Sequence, residues 1–190
     1  MAMLYLVRHG SSVDQKLIRG RLPGYPLSKK GRRQVAATVK FLADRRITAV
    51  YSSPMERAMQ TAGMIARSKK LKVKKVEALN EWHAPKIEGK YWSQVSKRLI
   101  LTYALRPTKA DFGDENLNDV AKRITGFCRK AASKNPSVLC VSHRDCILGG
   151  KAVLTGRSLD KMNFGRCKPG SVTVLEKADG KWKQKEYFEP

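Results

Sequence analysis

Apolar residues fall into two patterns along this chain. Met3-Leu-Tyr-Leu-Val7, Ile47 to Tyr51 and Val138 to Val141 are short, nearly unbroken apolar runs, the mark of strands covered on both faces. Between them the apolar positions return at helical spacing. Val35, Val39 and Leu42 follow Ser28, a good N-cap, and Leu117, Val120, Ile124, Phe127 and Ala131 follow Asn116. Ser53-Pro-Met-Glu56 reads as a capping box with proline at the first helical position. It predicts a helix to about Ser68 with Met55, Met59, Ala62 and Ile65 facing inward. A shorter helix is expected from Asp145 to Thr155, stopped by Gly156. Val73 to Leu79 reads as an edge strand. Ser171 to Glu176 and Trp182 to Phe188 read as closing strands around the turn Ala178-Asp179-Gly180.

Strands and helices alternate without repeats or a linker. That predicts a single α/β domain over residues 1–190, a three-layer α/β/α sandwich with a largely parallel central sheet. Two segments break the alternation. The stretch from Arg8 to Leu27 is rich in Gly, Pro and Arg, and a long connection of that kind in a compact domain is usually functional. From about residue 80 to 114 the pattern is irregular and aromatic, as in a cap or lid. Within it Trp82, Tyr91 and Trp92 are expected to pack beneath a loop, and His83 to lie on the surface.

Composition adds the charge. Against 16 acidic residues stand 39 Lys and Arg, a net +23, which favours anionic partners: a phosphorylated small molecule, or a polyanion held on the basic surface. The lysines from Lys69 to Lys75 read as a solvated face. At 190 residues the chain buries enough surface to need no disulfide or metal staple. Cys128, Cys140, Cys146 and Cys167 lack Cys-x2-Cys spacing and read as reduced thiols. No apolar run approaches the ~20 residues of a membrane span. Met3 to Val7 is too short for the core of a signal peptide, so a cytoplasmic protein is expected.

Three predicted strands end in chemically unusual residues: Arg8-His9-Gly10, Ser52-Ser53-Pro54 with Arg57 a turn later, and Ser142-His143. Ligands of open α/β sheets bind at the carboxyl ends of strands, so neighbouring strands would deliver two imidazoles and two guanidiniums to one crevice. Arginine forks grip phosphate oxygens in pairs. A neutral imidazole can attack phosphorus and carry the group covalently, splitting one displacement into two.

The motifs that follow one another here are Leu6-Val-Arg-His-Gly10, Pro26-Leu-Ser-x-x-Gly31-x-x-Gln34, Tyr51-Ser-Ser-Pro-x-x-Arg57-x-x-Gln60-Thr-Ala62, Leu79-x-Glu81 and Val141-Ser-His143. In that order they resemble the histidine phosphatase superfamily, in its phosphoglycerate-mutase-like branch. The resemblance implies a fold of that type and a metal-independent phosphatase, with no cofactor. It implies His9 as the nucleophile, Arg8, Arg57 and His143 as the phosphate pocket, and Glu81 as proton donor to the leaving group. Glu88 and Glu115 stay open as alternatives for the last role. Where the family often shows Glu, Thr and Asn after Arg-His-Gly, this chain has Ser11, Ser12 and Gln15. Ser12 and Gln15 can still donate to phosphate. Arg21 near the mouth, and Arg144 directly after His143, are counted with the substrate-binding residues.

Other phosphate chemistries lack their residues. None of the cysteines begins Cys-x5-Arg, Gly149-Gly150-Lys151-Ala152 is not a Walker loop, Asp-x-Asp is absent, and the three histidines lack zinc-site spacing. Two further functions share the same motifs: a phosphoglycerate-mutase-type phosphotransferase, and a polyanion- or nucleic-acid-binding protein on a degenerate phosphatase fold.

Overall fold

The computed structural model describes residues 2–14 and 16–190. Among them the strands are β1 (Ala2–Arg8), β2 (Ala49–Ser52), β3 (Val73–Lys75), β4 (Ser137–Ser142), β5 (Val172–Ala178) and β6 (Lys181–Phe188). The helices are α1 (Lys29–Phe41), α2 (Glu56–Ser68), α3 (Lys97–Leu105), α4 (Leu117–Lys134) and α5 (Arg144–Leu154). One sheet runs β3-β2-β4-β1-β5-β6. Its first four strands are parallel, and β5 and β6 close one side as an antiparallel hairpin. At the hairpin turn Asp179 and Gly180 both have positive φ, the geometry that suits the twist of paired strands.

The period of two along each strand sorts residues between the faces. Tyr5, Val7, Leu139 and Val141 pack with Val35, Ala58, Ala62 and Ile65 of α1 and α2. Leu4, Leu6, Val138 and Cys140 pack with Val120, Ile124 and Ile147 of α4 and α5 on the other side. This is the expected sandwich. No helix among the described residues is long and apolar enough to cross a membrane.

Three local expectations change. β3 ends at Lys75, and Glu77–Leu79 forms a 3-10 turn, because its partner β2 ends at Ser52 and offers no further ladder. The Ser53 capping box does not form: α2 starts at Glu56 with Met55 as an N-cap that has no side-chain bond, while the Ser53 hydroxyl lies 2.8 Å from His143 Nε2. The inward face of α2 is therefore Ala58, Thr61, Ala62, Ile65 and Ala66, with Met55 and Met59 only half-buried. Finally, the segment expected to be irregular contains α3, capped by the Ser96 side chain and with no buried residue of its own.

Candidate active site

Because β2, β4 and β1 are neighbours, their carboxyl ends bring Ser52-Ser53, Ser142-His143 and Arg8-His9 together. The polypeptide after β1 is clamped by the motif residues around it. A Cβ on Gly31 would stand 1.9 Å from the Ser11 carbonyl oxygen, so only glycine lets the first turn of α1 press on this loop. Gln34 accepts from Ser11 N (2.9 Å), Thr61 from Gly10 N (3.2 Å) and Gln60 from Leu27 N (2.9 Å). These side chains, spread over two motifs, fix where His9 stands.

His9, Arg57 and His143 are each at least 96% buried, and the imidazole centroids lie 5.1 Å apart, edge to face. His9 Nδ1 lies 2.7 Å from its neighbour's carbonyl, Gly10 O, and so donates there. Its Nε2 then carries the lone pair and accepts from Arg57 Nε at 3.3 Å. Arg57 Nη2 donates to Gly20 O (2.8 Å) and stands 3.7 Å from Glu81 Oε2. The same carboxylate oxygen lies 3.1 Å from His143 Nδ1, which donates to it, while Ser53 donates to His143 Nε2. Arg8 Nη1 donates to Cys167 O (2.7 Å), but its buried Nε has no acceptor among the described residues. An unmatched buried guanidinium N–H is unfavourable by about 1–3 kcal/mol or more, and an anion would satisfy it.

The electrostatics follow from burial and from this crowd of cations. Burial, with His143, Arg57 and Arg8 alongside, pushes His9 well below the ordinary imidazole range, so it is neutral and nucleophilic at neutral pH. Burial and Arg57 bring His143 down to about 4 against the pull of Glu81. Burial alone would raise the Glu81 carboxyl, yet His143 and Arg57 outweigh it and hold the group well below the usual carboxylate range. Ligand atoms of His9, Glu81 and His143 lie within 4.8 Å of one another, close enough for a cation. Arg57, 3.3 Å from His9, already places positive charge there, and the pocket favours an anion.

The other expected residues are dispersed. Glu115 is bonded to Arg21, Arg123 and His83 N, and Glu88 accepts from Arg21 N and Ala84 N. Arg21 Nε donates to the Glu81 carbonyl (2.8 Å), and the residue does not line the cleft. Ser12 is buried in a bridge with Leu27. Gln15 lies outside the described residues. Arg144 lines the cleft and bonds Asp145 (2.7 Å), Tyr103 and Asn163. His83 lies against Asp114 at the surface. Trp82 is buried as expected, whereas Tyr91 and Trp92 are 46% and 45% exposed rather than covered by a loop.

Two contributors escaped the sequence reading. Ser53 was assigned to a helix cap. Arg123 of α4 donates to the carbonyls of Ala78, Asn80 and Glu81 and so holds the strand-end segment carrying Glu81. No signal in the sequence marks it, because Ile124 beside it continues the apolar stripe unbroken from Val120.

Such a pocket on such a sheet belongs to an enzyme that handles phosphate groups, and the known proteins that resemble this one narrow the class. The description of the histidine phosphatase superfamily (branch 1) matches residues 4–190, and the chain belongs to that superfamily. Phosphoserine phosphatase 1 of Hydrogenobacter thermophilus is 30% identical over 185 residues, covering 92% of this chain and 86% of its own. An uncharacterized Mycobacterium tuberculosis protein is 31% identical over 188 residues, covering 90% and 88%. Mycobacterial glucosyl-3-phosphoglycerate phosphatase, solved with VO3, shares the fold at a TM-score of 0.90 and 24% identity, covering 97% of this chain and 98% of that one. The protein is a phosphatase, a phosphoric monoester hydrolase.

Proposed function

We propose that the enzyme hydrolyses phosphate monoesters without a metal, in two displacements through a phosphohistidine on His9. The observation that carries this reading is the tautomer imposed on His9: with Nδ1–H on Gly10 O, Nε2 carries the lone pair and faces the Arg57 guanidinium, the group that would bind the phosphate. In the first step Nε2 attacks phosphorus, the bond from phosphorus to the alcohol oxygen breaks, and Glu81 protonates that oxygen. In the second, Glu81 takes a proton from water, whose oxygen attacks phosphorus; the P–N bond breaks and inorganic phosphate leaves. Arg8 and Arg57 bear the charge on the equatorial oxygens throughout, joined by His143 once the bound phosphate draws a proton onto its imidazole.

Glu81 is the proton donor because it alone of the three candidate carboxylates reaches both His143 and Arg57. It is ionised in the free pocket. A phosphate entering beside Arg57 offsets the cationic field, raises the carboxyl's proton affinity and restores its proton. Arg144 contacts substrate from the cleft wall. Ser12, on the loop after His9, is assigned with Gln15 to donate to the phosphate, and Arg21 acts on Glu81 through its carbonyl. Residues 1–190 form one domain in which 80–114 cap the site. Four free, buried cysteines suit a reducing compartment such as the cytoplasm.

The test is the intermediate. After brief incubation with a labelled monoester and quenching, wild-type protein carries acid-labile, base-stable phosphate and His9→Ala carries none. Normal turnover by His9→Ala ends the reading.

A polyanion contact is favoured by a separate observation: α1 exposes Lys29, Lys30, Arg32, Arg33 and Lys40, and among the described residues none of them forms an ion pair. RNA binding should then weaken steeply between about 50 and 200 mM salt, and a flat response removes the contact.

A further inference from the structure

We infer that the substrates of this phosphatase are esters of apolar alcohols, seated with the phosphate on His9 and the alcohol against an aromatic wall built from residues 82–112. The inference rests on the phosphohistidine reading of the same site and says what the leaving group is.

The cleft that opens beside Arg8, Arg57 and Glu81, next to the buried His9, measures about 720 Å³. At ~30 Å³ per molecule it would hold about two dozen waters, the size of a site for a large organic ligand rather than for a phosphate with a few carbons. Its far wall is apolar: Ile18, Trp82, Trp92, Ile100, Tyr103 and Phe112. The rings support one another, with Trp82 and Phe112 centroids 4.9 Å apart, Tyr103 and Phe112 5.5 Å, and Trp92 and Tyr103 stacked at 6.4 Å with planes 23° apart. A tryptophan half in water beside such a wall is surface that a ligand would cover. On α3, Ile100, Tyr103 and Ala104 face the cleft, while Leu101 and Leu105 stand 58% and 60% exposed one step around the helix. Apolar surface therefore continues from the cleft over its rim.

The charged groups of the wall face each other. Asp145 accepts from the Tyr103 hydroxyl (2.8 Å) and from Arg144 Nη1 (2.7 Å), and Arg144 Nη1 also donates to Asn163. Asn163 in turn donates to the Tyr103 carbonyl (2.6 Å). Arg19 Nη1 donates to the carbonyls of Val13 and Asp14. An amino-acid or sugar-acid leaving group, which needs its own charges matched, meets a wall in which Asp145 and Arg144 are already paired with each other, and only Arg19, bonded to carbonyls, keeps an unpaired charge among the described residues. A hydrocarbon chain or ring needs only area, and this wall supplies it.

The experiment is a homologous series of ethyl, butyl, hexyl and octyl phosphates below their micellar concentrations, with glycerol phosphate and phosphoserine as polar comparators. Each methylene that the wall buries should raise kcat/KM up to about fourfold. The rise stops when the cleft is full, with octyl phosphate well above both comparators. A flat series, or preference for the polar esters, overturns the inference. Trp92→Ala and Ile100→Ser should each lower the octyl-to-ethyl ratio of kcat/KM by about fivefold to tenfold. An unchanged ratio in both, in protein whose melting temperature shows it folded, overturns the placement of the chain. Burst measurements separate the two readings. If every ester phosphorylates His9 equally well, only the inference falls; if none does, the phosphohistidine reading falls with it.

Discussion

The floor and the wall of the cleft are made by different means. The floor stands on the ends of three adjacent strands and the first turns of α2 and α5, where His9, Ser53, Arg57 and His143 are all buried and joined through the Glu81 carboxylate into one network. The wall is 3-10 turns at Trp92–Gln94 and Pro107–Lys109 around a nine-residue helix with no buried residue. It is tied down by a few backbone bonds such as Ile18 N to Lys90 O and Lys86 N to Phe112 O. Chemistry that needs sub-ångström placement sits on the sheet, and recognition sits on the part that can vary without disturbing it.

Breaking the floor should affect every ester alike. Arg57→Ala removes a guanidinium from the transferred phosphate and should lower kcat/KM by about a thousandfold, uniformly across leaving groups. A loss confined to long alkyl esters would mean that Arg57 belongs functionally to the wall. Glu81 stands where floor meets wall, and its effect should depend on the leaving group. Glu81→Gln should lower kcat/KM, which reports the step in which the alcohol departs, about a hundredfold or more on alkyl phosphates, but only a few-fold on p-nitrophenyl phosphate, whose phenolate leaves without a proton. Equal losses on both would take the acid role away from Glu81. The smallest effect concerns stability. His9 and His143 have lowered folded-state values, so between about pH 4 and 6.5 the unfolded chain binds the extra protons and stability rises with pH. From pH 6.5 down to 5 the fold should lose on the order of 1 kcal/mol per pH unit for each of these histidines, read from melting curves. His143→Gln should reduce that slope, whereas Trp92→Ala should displace the curve and keep the slope. The reverse pattern would put the pH-sensitive burial in the wall.

The same contrast decides what the sequence disclosed. Strands covered on both faces leave unbroken apolar runs, and a charged or imidazole residue directly after one stands out; Arg8-His9 and Ser142-His143 were legible for that reason. The wall left no such mark. Leu99-Ile100-Leu101 is a continuous apolar triplet that hides the helical stripe of α3, and the helix buries none of its residues against the core. The expectation that Tyr91 and Trp92 pack under a loop assumed that large aromatics are covered by protein, whereas both stand partly in water. Ser53 followed by proline and Glu56 matched a helix cap, and local pattern could not foresee an imidazole arriving from β4 to take the hydroxyl. Arg123 was passed over because its partners are main-chain carbonyls, which carry no sequence signature.

The two outermost strands have a consequence for life at high concentration. β3 shows Lys74 and Lys75 to solvent, and β6 shows Lys181, Lys183 and Lys185. Each open margin of the sheet presents unpaired backbone groups to which another copy could hydrogen-bond, and lysines placed there repel an identical margin before the ladder can form. Part of the cationic excess thus serves to keep copies from zipping together, a duty that involves no ligand at all.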